Sequence, residues 1–217
     1  MSKVKAIIFD LDGVIVSTDV CHYRAWKKIA EKIGIYFDEK INDHLRGVSR
    51  MDSLEIILSI AEVKLSPEEK NLLAEEKNRY YREYLNDLMP NQVSAENLCA
   101  LKTLKANEIK LAIGSSSKNA RTILEKLNLM DLFDAISDGN NISQSKPDPE
   151  VFIKAAEYLM VSPSECIVVE DAKSGILAGK NAGMITVAYG AAAGKYAADY
   201  FIATISGIRS VLSELSI

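Results

Sequence analysis

Residues 5–19 read KAIIFDLDGVIVSTD, and the arrangement of the whole chain can be worked out from this segment. Four apolar residues in a row are followed directly by Asp10 and, two places later, by Asp12. A short continuous apolar run of this kind predicts a buried strand, here over residues 4–9. In parallel α/β sheets, ligands bind at the carboxyl ends of the strands. The stretch therefore predicts a strand that delivers two carboxylates to the rim of a site.

The rest of the chain has two parts with different patterns. Residues 20–88 show apolar residues at helical spacing and no convincing strand, whereas strands and helices alternate after Pro90. Such alternation predicts a parallel sheet covered by helices on both faces. We therefore expect an α/β fold with a Rossmann-like parallel-sheet core domain, residues 1–15 and 93–217. An α-helical cap domain, residues 16–92, is inserted into it.

The individual elements can also be placed from the sequence. The predicted strands cover residues 4–9, 109–114, 134–137, 166–170 and 184–190. The predicted helices of the core lie at 95–107, at 119–128, after Pro149 and at 172–183. In the cap, one helix ends at Gly34 and a second contains residues 54–61. The sequence SPEE at 66–69 begins a third cap helix, because it combines a capping box with a proline in the first turn.

Composition excludes several classes of partner. The chain has 217 residues and a net charge of −4, which argues against coating nucleic acid or binding an anionic membrane. No apolar run approaches the roughly 18 residues of a membrane span, and Asp10 and Asp12 interrupt the N-terminal run where a signal peptide would continue. Cys21, Cys99 and Cys166 lack metal or redox spacing, so we interpret them as buried residues in a reducing compartment. We expect a cytoplasmic monomer.

Further polar residues follow the other predicted strands. The residues SSSKN at 115–119 follow the second strand, and a loop that reaches Lys146 follows the third. Glu170 and Asp171 end the fourth. Several carboxylates at one edge of a sheet repel one another unless a cation neutralises them, and hard oxygen ligands favour Mg²⁺. Hydroxyls, backbone N–H groups and lysines suit a phosphate. The set predicts magnesium-dependent phosphoryl transfer.

Each of these features also has a purely structural interpretation. Two aspartates after a strand can form a turn, serines before a helix commonly cap it, and acids before a helix complement its dipole. The chemical interpretation assigns one carboxylate as a nucleophile and a second as general acid/base. The joint placement of all these residues after successive strands favours the chemical interpretation.

Four short motifs occur in order along the chain: DLDGV at 10–14, the serines from Ser115, SKPDP around Lys146, and EDAKSG at 170–175. Together they resemble the motifs of the haloacid dehalogenase superfamily of phosphotransferases, and the resemblance spans essentially the whole chain. In that resemblance the helical block 16–92 corresponds to a mobile cap.

The resemblance also implies a role for each core residue. Asp10 is the implied nucleophile and Asp12 the general acid/base. Ser115 and Lys146 are implied to bind the transferring phosphoryl group. The residues implied to hold Mg²⁺ are Asp10, Asp12 through its backbone carbonyl, and Asp171, with Glu170 adjacent.

The cap motifs HYRAW (22–26), RGVSR (46–50) and EKN (76–78), with GSSSKN (114–119), resemble the hexose phosphomutases of this superfamily. These enzymes interconvert β-glucose 1-phosphate and β-glucose 6-phosphate through bound β-glucose 1,6-bisphosphate, which is therefore the implied activator and intermediate. One departure is Ser17, which stands where such sequences usually carry an acid. The implied contacts to a small sugar phosphate are Thr18, His22, Trp26, Gly47, Val48, Ser49, Arg50, Ser53, Lys77, Ser116, Ser117, Lys118 and Asn119.

Alternatives remain open at this stage. A sugar-phosphate phosphatase would share all the core residues, so only the cap distinguishes it from a phosphomutase. A non-catalytic sugar-phosphate sensor is a third function, although it has no need of the acid at Asp12. Trp26 also fits a core position at helical spacing with its apolar neighbours, and Lys77 also fits a solvated helix face.

Overall fold

The computed structural model divides the chain into two compact units. The core unit comprises Met1–Ser17 and Met89–Ile217, and the cap unit comprises Thr18–Leu88. The cap unit is thus inserted in the sequence between two segments of the core unit. The residues that the structure describes are 4–45, 48–190 and 196–215.

The core unit contains a six-stranded sheet in which every pair of neighbouring strands is parallel. The strand order is β3-β2-β1-β4-β5-β6. This confirms the predicted α/β fold and all five predicted strands. The sixth was not predicted, because three residues with an exposed phenylalanine make too short an apolar run. The strands are β1 Ala6–Phe9, β2 Lys110–Gly114, β3 Ala135–Ser137, β4 Cys166–Glu170, β5 Ile185–Tyr189 and β6 Tyr200–Ile202.

The predicted helices are present in both units, and two short helices, Glu39–Asp43 and Ile208–Glu214, were not predicted. The helices of the cap unit are α1 Asp19–Lys32, α2 Glu39–Asp43, α3 Arg50–Ile60 and α4 Pro67–Tyr84. The helices of the core unit are α5 Ala95–Ala106, α6 Ala120–Lys126, α7 Glu150–Leu159, α8 Lys173–Asn181 and α9 Ile208–Glu214.

Strand β1 lies in the middle of the sheet and is buried on both faces. Ala6 and Ile8 belong to one hydrophobic cluster with residues of α7 and α8. Ile7 and Phe9 project to the opposite face because side chains alternate along a strand, and the Phe9 ring meets the edge of Phe133 at 6.5 Å between centroids. Burial on both faces explains why this strand reads as a continuous apolar run.

The cap unit has its own hydrophobic core. The predicted capping box is present at the start of α4, where Ser66 N–H donates to Glu69 Oε2 at 2.8 Å and Glu69 N–H donates to Ser66 Oγ at 3.2 Å. Gly34 adopts a positive φ of 72° just after α1 ends, as expected for a helix-terminating glycine. The buried residues of this core include Trp26, Ile29, Ala30, Leu54, Ile57, Leu58, Leu73 and Ala74.

One prediction about the cysteines is wrong. Cys166 is buried in β4, but Cys21 is only partly buried and Cys99 is exposed on α5. Cys99 is exposed because it lies away from the face of α5 that carries the buried Leu101 and Leu104. Among the described residues, no helix has the length and apolar character needed to cross a membrane.

Candidate active site

The carboxyl ends of three neighbouring strands carry the predicted core residues. Strand β1 lies between β2 and β4, so Asp10, Ser115 and Glu170 all emerge at the same edge of the sheet. Asp10 is held at the strand end by a 2.9 Å hydrogen bond from its N–H to Val169 O. All three side chains are buried.

Lys146 brings a positive charge between two of these acids. Its Nζ lies 2.5 Å from Asp10 Oδ1 and 2.7 Å from Glu170 Oε1, with the Phe152 ring 4.7 Å away. Burial by itself lowers the pKa of Lys146, but the carboxylates of Asp10 and Glu170 outweigh burial and raise that pKa above its ordinary value. Lys146 is therefore a permanent cation next to Asp10. The peptide bond between Lys146 and Pro147 is cis.

Asp171 carries a strongly perturbed carboxyl group. Its pKa is raised to about 8, first by burial and then by the negative charges of Asp10, Glu170 and Asp12, against the opposing charge of Lys146. Burial also raises the pKa of Glu170, whose second oxygen accepts a 2.6 Å hydrogen bond from Ala172 N–H. Such clustering of acids favours either a proton or a cation at this edge.

Two glycines of the motifs allow the acids to approach the backbone. Gly13 has a φ of 99°, and a Cβ there would overlap the Asp171 carboxylate. A Cβ on Gly175 would overlap the carboxylate of Glu170. A side chain at either position would displace the neighbouring carboxylate, and at Gly13 it would also be strained by the positive φ. The predicted site omitted these two glycines, although Gly13 lies in the motif DLDGV and Gly175 in the motif EDAKSG.

Asp12 lies in a tight turn that begins at the end of β1. Gly13 N–H donates to Val16 O at 2.8 Å, and Ile15 N–H donates to Leu11 O at 3.0 Å. Asp12 is partly exposed, unlike the buried Asp10. The turn thus separates two acids that are two residues apart, and gives them different surroundings.

The segment Ser115–Asn119, here called the phosphate loop, follows β2. Ser115 Oγ accepts from Ser117 N–H at 3.2 Å, and Ser117 Oγ accepts from Asn119 N–H at 3.1 Å. Ser116 Oγ accepts a long 3.5 Å hydrogen bond from Lys146 N–H. Lys118 is exposed, whereas Asn119 is buried. The serines therefore shape this loop as well as offering hydroxyl groups.

The cap unit contains a second polar cluster, built around Lys77. Lys77 Nζ lies 2.8 Å from His22 Nδ1, and it faces the rings of Trp26 and Tyr81 at 5.0 and 4.6 Å from their centroids. Lys77 is buried, so it does not lie on a solvated helix face, which was the structural alternative for this residue. Burial lowers the pKa of His22, and the charges of Lys77 and Arg50 lower it further. Neutral His22 can thus accept from the ammonium through Nδ1.

Tyr81 belongs to the same cluster, although the predicted set did not include it. Its hydroxyl lies 2.8 Å from Thr18 Oγ1, and its ring lies 4.2 Å from the His22 ring between centroids. A signal was present in the sequence, because Tyr81 is four residues after Lys77 and so shares its helix face. Trp26 lies in the hydrophobic core of the cap, as its helical spacing indicated.

The remaining cap residues lie around the start of α3. Ser49 caps the helix by accepting from Asp52 N–H at 3.2 Å. Arg50 is partly buried, and burial lowers its pKa against the attraction of Glu75 and Tyr81. Ser53 is buried within α3, and Val48 is exposed. Gly47 lies outside the described residues.

Among the described residues, no three His, Cys, Asp or Glu side chains already form a cluster arranged to hold a metal. Mg²⁺ does not require such a cage, because it usually binds one or two carboxylates and takes its other ligands from water and phosphate. The carboxylates of Asp10 and Asp171 are hard oxygen donors, and their negative charges attract a cation to this edge of the sheet. The donor set therefore fits a magnesium ion.

A sequence model of haloacid dehalogenase-like hydrolases matches residues 7–189 of the chain. That segment contains every candidate site residue of the core unit described above. The chain belongs to this family. The predicted membership of the haloacid dehalogenase superfamily is thus confirmed, and with it the prediction of an enzyme.

Haloacid dehalogenase-like relatives include both mutases and phosphatases. The chain is 43% identical to β-phosphoglucomutase of Bacillus subtilis (strain 168), over 94% of this chain and 92% of that protein. It is 36% identical to the phosphorylated carbohydrates phosphatase of Thermotoga maritima, over 83% of this chain and 82% of that protein. The crystal structure of β-phosphoglucomutase from Clostridium difficile superposes with a TM-score of 0.91 at 39% identity, and covers 98% and 99% of the two chains.

Proposed function

We propose that this protein is a β-phosphoglucomutase, which interconverts β-glucose 1-phosphate and β-glucose 6-phosphate through β-glucose 1,6-bisphosphate. The buried pairing of Asp10 with Lys146, with Asp12 two residues further on, supports phosphoryl transfer. The observation that carries the choice of a mutase lies in the cap, where Lys77 and His22 of the two cap motifs lie 2.8 Å apart. The identity and coverage shared with β-phosphoglucomutase of Bacillus subtilis support the same function.

In this proposal, Asp10 attacks one phosphorus atom of β-glucose 1,6-bisphosphate, which forms an aspartyl phosphate and releases a glucose monophosphate. Lys146 Nζ, 2.5 Å from Asp10 Oδ1, places a positive charge beside the nucleophile. Lys146 and Ser115 bind the oxygens of the transferring phosphoryl group. Asp12 donates a proton to the leaving sugar oxygen. It accepts the proton of a sugar hydroxyl when a glucose monophosphate takes the phosphoryl group from Asp10 and the bisphosphate forms again. The net result moves one phosphoryl group between two positions of glucose.

We also propose that Mg²⁺ is the resident cofactor. Asp10, the backbone carbonyl of Asp12 and Asp171 would hold it, with Glu170 adjacent. A bound magnesium ion supplies positive charge that neutralises the phosphoryl oxygens. Glu170 then has a second task in this chain, because its carboxylate fixes the ammonium of Lys146 at 2.7 Å.

Residues 18–88 serve as the cap in this proposal and recognise the sugar and its second phosphate. Arg50 carries a planar guanidinium that can pair with a phosphate in two parallel hydrogen bonds. Ser117, Lys118 and Asn119 are the residues of the core unit that we propose for binding the phosphate that does not react. Lys77 would contact the sugar, where its ammonium is already oriented by His22. We propose that the enzyme acts as a cytoplasmic monomer.

Product analysis tests the function directly. The wild type is supplied with β-glucose 1-phosphate, Mg²⁺ and a catalytic amount of β-glucose 1,6-bisphosphate. We expect glucose 6-phosphate to accumulate with little inorganic phosphate. Stoichiometric release of inorganic phosphate would replace the mutase by a sugar-phosphate phosphatase, the function named for the Thermotoga maritima relative.

The role of Arg50 gives the experiment a second arm. Arg50→Ala should lower kcat/KM for the mutase reaction by roughly 10- to 100-fold, the usual effect of losing charge-assisted hydrogen bonds. Hydrolysis of the aspartyl phosphate should change far less, because attack by water does not require the enzyme to bind a second phosphate. Arg82→Ala is the matched control, since Arg82 is an exposed arginine of the same unit.

A further inference from the structure

The turn that follows β3 is hydrogen-bonded to two residues of the phosphate loop. We call Asp138–Asn141 the β3 turn. Ser115 N–H donates to Ser137 O at 3.0 Å, immediately before this turn. Gly139 N–H donates to Ser117 O at 3.1 Å, and Asn140 Nδ2 donates to Lys118 O at 3.0 Å. Two successive carbonyls of the phosphate loop are therefore fixed from the β3 turn.

These bonds also fix the direction of the backbone N–H groups. In a trans peptide the C=O and the N–H point in opposite directions. Because Ser117 O points at the β3 turn, the N–H of Lys118 in the same peptide points away from it. No residue in the described part of the chain accepts from that N–H. The next peptide is held at both ends, by Asn140 on Lys118 O and by Ser117 Oγ on Asn119 N–H.

Gly139 makes this arrangement sterically possible. A Cβ there would lie 2.9 Å from Lys118 N, and it would overlap Ser116 O. Contacts this short do not occur for real side chains, so an alanine would push the two segments apart. The position therefore requires glycine for close backbone approach rather than for a positive φ.

The β3 turn is itself rigidly held. Asp138 N–H donates to Asn141 Oδ1 at 2.8 Å, and Asn140 N–H donates to Asp138 Oδ1 at 2.9 Å. Asn141 Nδ2 donates to the hydroxyl of Tyr158 at 3.0 Å, and Lys154 Nζ donates to Asn141 O. Tyr158 and Lys154 both lie on α7, so this helix anchors the turn that shapes the phosphate loop.

We infer that Gly139 and Asn140 are positioning residues for the phosphate that does not react, and that they act by orienting the Lys118 and Asn119 peptides. This inference rests on the proposed function, which assigns that phosphate to Ser117, Lys118 and Asn119. Neither positioning residue touches the ligand. Ser115, which would bind the transferring group, is fixed separately by Ser137 O.

The inference predicts a split between two kinds of phosphoryl donor. Asn140→Ala should raise KM for β-glucose 1,6-bisphosphate roughly three- to tenfold, the usual effect of one lost hydrogen bond. It should leave kcat and the KM for acetyl phosphate, which has no second phosphate, within twofold. Gly139→Ala should act in the same direction and more strongly. An equal rise in both KM values would show general loosening of the site and would overturn the inference, as would no change in either.

A binding measurement separates this inference from the proposed function. In an Asp10→Asn background, which blocks turnover, calorimetry gives Kd for β-glucose 1,6-bisphosphate with and without Asn140→Ala. We expect a three- to tenfold weaker Kd, again the effect of one hydrogen bond, and unchanged thermal unfolding. Asn107→Ala is the matched control, because Asn107 Nδ2 also donates to a backbone carbonyl at an exposed position of the core unit. An unchanged Kd in Asn140→Ala refutes the inference even if the enzyme is a mutase. A wild type that only releases inorganic phosphate refutes the mutase and leaves the Kd result standing.

Discussion

The core unit and the cap unit each bury a lysine, and they stabilise its charge in different ways. The side chain of Lys146 is 5% exposed and lies between the carboxylates of Asp10 and Glu170. Lys77 is 3% exposed, and its ammonium contacts the imidazole of His22 and two aromatic rings. Lys146 is thus paired with two carboxylates, and Lys77 packs against an imidazole and two aromatic rings.

The difference matches two different chemical tasks. In the proposed function, the ammonium of Lys146 lies beside the nucleophile Asp10 and pairs with the oxygens of the arriving phosphoryl group. The ammonium of Lys77, beside an imidazole and aromatic rings, would contact the sugar. We expect substitutions in the core cluster to stop the chemistry, and substitutions in the cap cluster to alter recognition.

The largest expected effect comes from Asp10→Asn. An amide cannot attack phosphorus, so turnover should fall by roughly 10⁴-fold or more, which corresponds to losing covalent catalysis. Transfer to sugar and transfer to water should both be lost, as measured by product formation and by trapping of the phosphoenzyme. Asp131→Asn, at an exposed position of the same unit, should be unaffected. Near-normal activity in Asp10→Asn would show that Asp10 is not the nucleophile and would contradict the proposed mechanism.

Replacing each buried lysine by methionine compares the two clusters directly. Lys146→Met should lower the free energy of unfolding by roughly 3–5 kcal/mol, because it strands two buried carboxylates without their cation. Lys77→Met should cost only about 1–3 kcal/mol, the penalty for leaving His22 Nδ1 without a donor. Urea unfolding in the presence of EDTA measures both values. Equal losses in the two variants would contradict the distinction between the clusters.

The acids of the core cluster should couple magnesium binding to pH. The pKa of Asp171 is raised to about 8, so below pH 8 a proton must leave before the carboxylate binds a cation. The Kd for Mg²⁺ should therefore rise about tenfold for each unit by which the pH falls from 8 to 6, and it should level off above pH 8. Calorimetry in two buffers of different ionisation enthalpy should detect about one released proton at pH 7. A Kd independent of pH over this range would contradict the prediction.

The smallest expected effect concerns Tyr81 in the cap cluster. Tyr81→Phe removes the hydroxyl that bonds Thr18 and keeps the ring that contacts His22 and Lys77. We expect a loss of about 1 kcal/mol in the free energy of unfolding, or roughly 2–4 °C in Tm for a chain of this size. Calorimetric unfolding measures the change. Tyr158→Phe provides a comparison at a hydroxyl of the core unit, where Asn141 donates to it.

Sequence patterns were sufficient for most of the fold. Strand β1 reads as a continuous apolar run because both of its faces are buried, and the capping box of α4 depends only on residues three apart. Such signals depend only on residues that are close in sequence, so they can be recognised without knowing how the rest of the chain folds. The short strand β6 and the exposure of Cys99 were missed because both depend on what packs nearby.

By itself, the sequence also determined which residues end the strands, and so which acids, serines and lysine reach one edge of the sheet. Only the tertiary structure decided how they pair. Lys146 meets Asp10 across 136 positions of the chain and Lys77 meets His22 across 55. No periodicity encodes such pairs, because they follow from the strand order and from helix packing within each unit. The same holds for the contact of Asn140 with Lys118, which exists because β3 lies beside β2 and Gly139 leaves room for it.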